Sequence, residues 1–280
     1  MGYHITEFIP TNVVTAMMVD ELRESLVFEG LVRTSTPANI GVGSSYKIPG
    51  VGAITVGDYT GADITVQDLS ATDVSLSVDQ AKYFAFYLDK VDSEQAAKDV
   101  LPVYVDKASY ELANTLDTYV ASTLATNAGL TNTGMGTAVS AVAIDETTVL
   151  DWAGEIKEAL DTANVPQEGR YLVVPPYVAA AIAKTNIEKS STTLESARMK
   201  GWVNEYLGMN IFMSNNLPLN STKTTCVAGV QTAADLVLSV NDLMFMDAEK
   251  RFASLSKGLS VYGAAVSQSS AIAKAIVTKA

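Results

Sequence analysis

A single histidine, His4, and a single cysteine, Cys226, limit the chemistry that this 280-residue chain can carry. Ser-His-Asp and Cys-His nucleophile systems need an imidazole held by the fold, and zinc catalysis needs two or three such ligands. His4 stands beside the first residues, where order is hard to secure. One cysteine forms neither an intrachain disulfide nor a multi-thiolate metal site. Chemistry would therefore fall to carboxylates, Lys, Tyr or a cofactor.

The acids offer candidates but no constellation. Asp58, Asp63, Asp68 and Asp73 recur at five-residue steps, a spacing with neither helical nor strand logic. Two acids at a suitable separation would suffice for a sugar hydrolase, yet with 31 Asp and Glu such pairs arise by chance. Asp89, Asp92 and Asp99 fall where a strand gives way to a helix, and there they read as caps and helix-dipole partners before metal ligands. Gly41-Val42-Gly43-Ser44-Ser45 lacks the Gly-Lys-Ser/Thr that completes a phosphate loop, and reads as a turn. Met1-Gly2 with Thr6 matches only the bare acylation pattern. Asn220-Ser221-Thr222 is a glycosylation sequon in a chain without an export signal. The sequence thus predicts no catalytic, cofactor or metal residues, and a protein made in a cytoplasm.

Charge narrows the partners. Lys and Arg total 19 against 31 acids, a net charge of −12. Tight DNA binding draws on clustered cations that displace phosphate counterions, and no such cluster exists. A surface facing DNA should be neutral or acidic outside a few basic spots, which suits a container better than a sequence-specific reader. No run approaches the ~18 apolar residues of a membrane-spanning helix, so no membrane partner is expected. Hydrophobic residues make up 48% and charged residues 18%, globular values with a lightly charged surface that hints at apolar area covered by another chain.

The positioning elements follow from periodicity. Val13, Val14, Met17, Leu22, Leu26 and Val27 outline a short amphipathic helix in an arm, 1–44, that packs on something else. Pro37, Gly41, Gly43, Pro49, Gly50, Gly52, Gly57 and Gly61 punctuate a long, thin β-hairpin over 45–72 with its tip near Gly57-Asp58-Tyr59-Thr60-Gly61. Val74, Leu76 and Val78 alternate with Ser75, Ser77 and Asp79. The aromatic run Tyr83-Phe84-Ala85-Phe86-Tyr87-Leu88 predicts a strand buried on both faces or packed at an interface. From Ser93 to Thr126 the period is helical, with Ala97, Leu101, Tyr104, Ala108, Leu112, Leu116, Tyr119 and Thr123 on one face. Pro102 should kink that helix or mark its true start. Residues 127–147 read as a flexible connector. An α/β unit then spans 148–245: a helix from Val149 to Asn164, a short strand in Gly169–Pro176, a helix over Tyr177–Lys184, a polar loop over 186–200, and strands at Met209–Ser214, Thr224–Val230 and Ala234–Val240. Residues 246–280 supply strand and helix material that returns to the long helix.

In that order the elements resemble the capsid fold shared by tailed bacteriophages and herpesviruses, in the branch without a large extra insertion. The local matches are Tyr83-Phe84-Ala85-Phe86 then Asp89, Gln95-Ala96-Ala97, Asn164-Val165-Pro166 with Gly169-Arg170-Tyr171-Leu172-Val173-Val174-Pro175-Pro176, and Gly208-Met209-Asn210-Ile211 with Ser214-Asn215-Asn216-Leu217-Pro218. The resemblance implies an α+β major capsid protein with an N-terminal arm (1–44), an extended hairpin loop lying over a neighbour (45–72), a peripheral domain with a spine helix (73–147 and 246–280) and an inserted axial domain (148–245). It further implies hexamers and pentamers of one chain, assembled in the bacterial host cytoplasm into an icosahedral virion shell around double-stranded DNA. A portal is expected, and because the chain starts directly at the arm, a separate scaffolding protein. Some members of that family crosslink a Lys to an Asn of the adjacent subunit. Lys47 lies near the hairpin base, but no partner Asn matches a motif, so no crosslink residue is carried over. The residues also fit an encapsulin-type compartment of the same fold or another virion component such as a tail-tube or decoration protein.

Overall fold

The computed structural model describes residues 27–36, 42–48, 54, 56, 58, 73–89, 100–189, 205–247 and 252–280. The expected helix of the arm, the hairpin tip apart from Asp58, residues 90–99 and most of the polar loop lie outside the described residues.

The backbone of the molecule is one long two-stranded ribbon that serves two sheets. Strands β10 (Lys223–Val230) and β13 (Ile272–Lys279) pair antiparallel, Gly229 opposite Ile272. Past Gln231–Ala233 the chain continues into β11 (Ala234–Asp247), and β12 (Ala253–Val266) returns beside it, Ala234 opposite Val266. The ribbon bends between the two halves, where Ser267 and Gln268 both donate their amides to the Ala233 carbonyl at 2.9 and 3.0 Å.

The first half of the ribbon anchors a seven-stranded sheet. Its order is β5 (Val142–Ile144), β13, β10, β6 (Arg170–Val174), β8 (Met209–Met213) and β7 (Glu205–Tyr206), with β9 (Leu219–Asn220) added to β10. All five residues of β6 are buried, so both of its faces are covered, which explains a continuous apolar run without alternation. The second half of the ribbon carries a four-stranded sheet in the order β1 (Arg33–Ser35), β11, β12 and β4 (Gln80–Asp89). Strands β2 (Ser45–Ile48) and β3 (Val74–Ser77) form a separate antiparallel pair, the described base of the expected hairpin.

Helix α1 (Val100–Asn127) packs on both halves of the ribbon, against β12 and β10. At 28 residues it is about 42 Å long at 1.5 Å per residue. Pro102 sits in its first turn, where a missing N–H breaks no helical bond, so it marks a start and not a kink. The buried stripe differs from the expected one: Ser109, Leu112, Ala113, Leu116, Asp117, Val120, Ala121, Leu124 and Ala125 face the core, while Tyr104 is exposed. The reason is that the small residues, and not the aromatic ones, allow the helix to lie close to the strands. Helices α2 (Val149–Thr162) and α3 (Pro176–Lys189) pack on each other, and they touch β13 and β8 respectively.

Two further expectations are corrected. Residues 127–147 are no loose connector: Met135 is fully buried, its carbonyl accepts the Trp152 indole N–H at 3.1 Å, and β5 pairs with β13. Residues 252–280 contain strand and a short 3-10 turn but no α-helix. The helix-like spacing of Ile272, Ala273, Ile276 and Val277 arises because β13 lies between β10 and β5 and is buried on both faces. The end of the arm also finds its partner in its own chain. Phe28, Leu31 and Val32 enter the main core, and Arg33–Ser35 pairs parallel with Asp235–Val237.

Candidate functional site

The residues singled out for chemistry are dispersed. Cys226 is fully buried in β10, and burial pushes its thiol up, so it stays protonated and unreactive. Asp58 and Asp73 are exposed, whereas His4, Asp63, Asp68, Asp92 and Asp99 lie outside the described residues. Lys47 is exposed on β2 opposite Ser75, and Asn220 is exposed on β9. The glycine-rich turn folds back on the chain: Gly43 donates to the Val78 carbonyl and Val78 to that of Ser44, both at 2.9 Å. The first bond occupies the Gly43 amide, one of those a phosphate would need. Among the described residues no group of three or more His, Cys, Asp or Glu is arranged to hold a metal ion.

The acids with described partners work within the fold. Asp145 closes the turn into α2, accepting from the Thr147 and Thr148 amides at 2.8 Å each and from both hydroxyls at 2.7 and 3.0 Å. The Thr147 hydroxyl first, then the two amides, hold its carboxyl down at about 2. Asp161 is lowered by Lys157 and then by Arg170. The buried guanidinium of Arg170 donates to Asp161 at 2.7 Å and to the carbonyls of Pro166 at 2.9 Å and Val165 at 2.5 Å. That clamp gives Asn164-Val165-Pro166 and Gly169-Arg170 a physical meaning: the turn closes around a cation. Tyr119 donates to Asp79 at 3.1 Å and meets Tyr262 edge-on, and burial first, then the Asp79 charge, raises its phenol.

What remains is a surface. Directly paired residues of antiparallel strands share a face, so the register aligns Met246, Leu255 and Tyr87 in one row and Met244, Lys257 and Ala85 in the next. On the opposite face Phe84 and Phe86 turn toward α1, Phe86 lying tilted against Tyr104 with ring centroids 5.7 Å apart. Gly258 permits this, because a Cβ there would lie 2.5 Å from the Phe84 ring. Close to the bend the first face is also covered: β2 and β3 lay Ile48, Leu76 and Val78 on Val237 and Val261. Strand β3 crosses so closely that a Cβ on Gly263 would stand 2.3 Å from the Ser77 carbonyl oxygen. Beyond that crossing the face carries exposed side chains among the described residues. Tyr83 is 78% exposed and Tyr87 59%, with Met244 and Met246 beside them.

Among the described strands β4 is moreover the edge of its sheet. Between it and the first turns of α1 runs a groove of about 420 Å³ lined by Tyr83, Phe84 and Tyr104, with Lys82, Lys107 and Glu111 on its walls. A long aromatic edge strand beside an uncovered apolar face is a template for another chain, and a contiguous patch of this kind marks an interaction site. The aromatic run signalled this in the sequence. Burial on both faces does not hold, because Tyr83 and Tyr87 are exposed.

Comparison with known proteins points the same way. A family model described as phage capsid protein matches residues 71–275. Among solved structures, a chain from Mycobacterium phage Che8 is 25% identical with a TM-score of 0.72, over 90% of this chain and 89% of that one. A chain of the capsid of cyanophage P-SCSP1u is 17% identical, with a TM-score of 0.69, over 91% and 89%. A virus-like particle from Pyrococcus furiosus shares the fold at 12% identity and a TM-score of 0.56, over 95% and 98%. No curated protein matches the sequence.

Proposed function

The chain belongs to the phage capsid protein family, and on that premise we propose how this major capsid subunit builds its shell. It is a structural subunit of an icosahedral tailed-phage capsid, and its place is the virion. The observation that carries the detailed reading is the bare face of the four-stranded sheet with its aromatic edge strand. In the shell that face is covered by a neighbouring copy, and the hairpin rising from β2 and β3 reaches over the adjacent subunit. Hexamers and pentamers form around an axial unit built on 148–245, to which the last strand contributes. The peripheral unit, 73–147 and 246–280 apart from that last strand, lies away from those axes. The subunit performs no catalysis.

Assembly takes place in the host cytoplasm, with a separate scaffolding protein and a portal, and the shell encloses double-stranded DNA without reading its sequence. The net charge of −12 supports a container that holds DNA without gripping it. Electron microscopy of the purified chain, alone and with its candidate scaffold, tests this reading. Rings of five and six subunits or closed shells are expected. A monodisperse monomer under both conditions would overturn the proposal, and particles filled with protein cargo in place of nucleic acid would turn it into a compartment.

A further inference from the structure

Asp117 is an acid on the buried face of α1, 2% exposed, between Leu116 and Val120. Its Oδ1 accepts the backbone amides of Val27 at 3.1 Å and Phe28 at 3.0 Å. Its Oδ2 accepts the side-chain amide of Asn216 at 2.9 Å. One carboxylate thus touches three segments far apart in sequence: the end of the arm, the long helix, and the loop after β8.

Each contact is fastened further on. Phe28 is fully buried, its carbonyl accepts the Leu31 amide at 3.1 Å, and five residues after Phe28 Arg33 reaches Asp235 at 2.5 Å. On the other side the Asn216 amide donates to the Ser214 hydroxyl at 3.1 Å, and the Ser214 amide to the Val174 carbonyl at 3.1 Å, which ties the loop to the ends of β6 and β8. A carboxylate taken out of water is tolerated only while its lone pairs are satisfied. Three neutral donors from two segments share that task, so a segment that withdraws leaves the carboxylate short, and water must enter to replace what was lost.

We propose that Asp117 is a latch that makes the arm's exit and the 214–217 loop open and close together. Local opening in folded proteins is set segment by segment, and neighbouring segments become one cooperative unit when they share a buried interaction. The latch couples a strand entering the four-stranded sheet to a loop of the seven-stranded sheet, so the position of the arm and the tilt between the sheets become one variable. This is a property of the single chain, independent of what shell it builds.

Hydrogen exchange of the purified full-length chain, read in peptides covering 27–32 and 211–218, tests it. Asn216→Ala alters only the loop, yet the latch predicts about tenfold faster exchange at Val27 and Phe28 as well. Asp117→Ala should speed both segments by at least as much. The exchanged pair Asp117→Asn with Asn216→Asp, which restores a donor facing an acceptor, should recover most of the protection at 211–218, and at 27–32 with it. If Asp117→Ala does not fold, Asn216→Ala and the exchanged pair carry the test. A response of Asn216→Ala confined to 211–218 overturns the latch, and so does a rise spread evenly through Val149–Thr162.

Discussion

The two ends of the ribbon are built from the same pair of strands, and they meet solvent differently. At the β10/β13 end the sheet is flanked by further strands, helices pack on it, and Val227, Ala228, Tyr171 and Leu172 have no exposed surface to speak of. At the far end of β11/β12, among the described residues, one helix packs on one face, and Tyr83, Tyr87, Met244 and Met246 are exposed on the other face and edge. The first end is complete within one chain. The second, in the proposed shell, is completed by a neighbouring copy. A subunit that must be soluble before assembly and sticky during it can separate the two demands in this way, placing its stability at one end of a shared ribbon and its association at the other.

Substitutions at the two ends should therefore separate subunit stability from assembly. The largest stability loss is expected at the closed end: Trp152→Ala removes a buried indole and its bond to Met135, costing about 3–5 kcal/mol in urea unfolding of the subunit. Next comes the crossing that divides covered from bare surface. Gly263→Ala forces β3 off β12, a cost of about 1–3 kcal/mol, and the same unfolding experiment should show β2 and β3 loosened. At the open end the pattern inverts. Tyr87→Asp should change subunit stability by less than about 0.5 kcal/mol, while sedimentation shows shells and capsomers lost. A stable, assembling Tyr87→Asp variant would break the contrast.

The smallest effect concerns acid. Asp145 falls from the ordinary 3.8 to about 2 in the folded chain, chiefly through the Thr147 hydroxyl. A depressed carboxyl contributes stability that is fully present above its unfolded value and is lost as pH falls through its folded value. The Tm advantage of the natural chain over Asp145→Asn should thus be constant above pH 3.8 and shrink toward pH 2. An advantage that persists unchanged at pH 2 would mean that Asp145 acts through shape alone.

Much of the closed end was legible in the sequence. Val149, Ala153, Ile156 and Leu160 placed α2, and Gly169 through Pro175 placed β6, since each carries its own period and its own stop. The long β12 was not legible, because Ala-Ser-Leu-Ser-Lys-Gly-Leu-Ser has little strand propensity and extends only by pairing with both β4 and β11. Of the candidate surface, the aromatic run announced that something would be packed there, but the register alone revealed that Tyr83, Tyr87 and the two methionines share one uncovered region. Asp117 carried a signal as well, an acid in the Leu112, Leu116, Val120 and Leu124 stripe, but nothing local could name its partners.

By itself the sequence determined the local elements, the poverty of catalytic side chains and the acidic balance of a container, since these depend on residue types and near-neighbour spacing. The tertiary structure decided which sheet each strand joined, which face was left bare and where a buried carboxylate found its donors. Those outcomes rest on pairings such as Arg33 with Asp235 and Asp117 with Phe28, and contacts between residues so far apart along the chain leave no periodic trace in it.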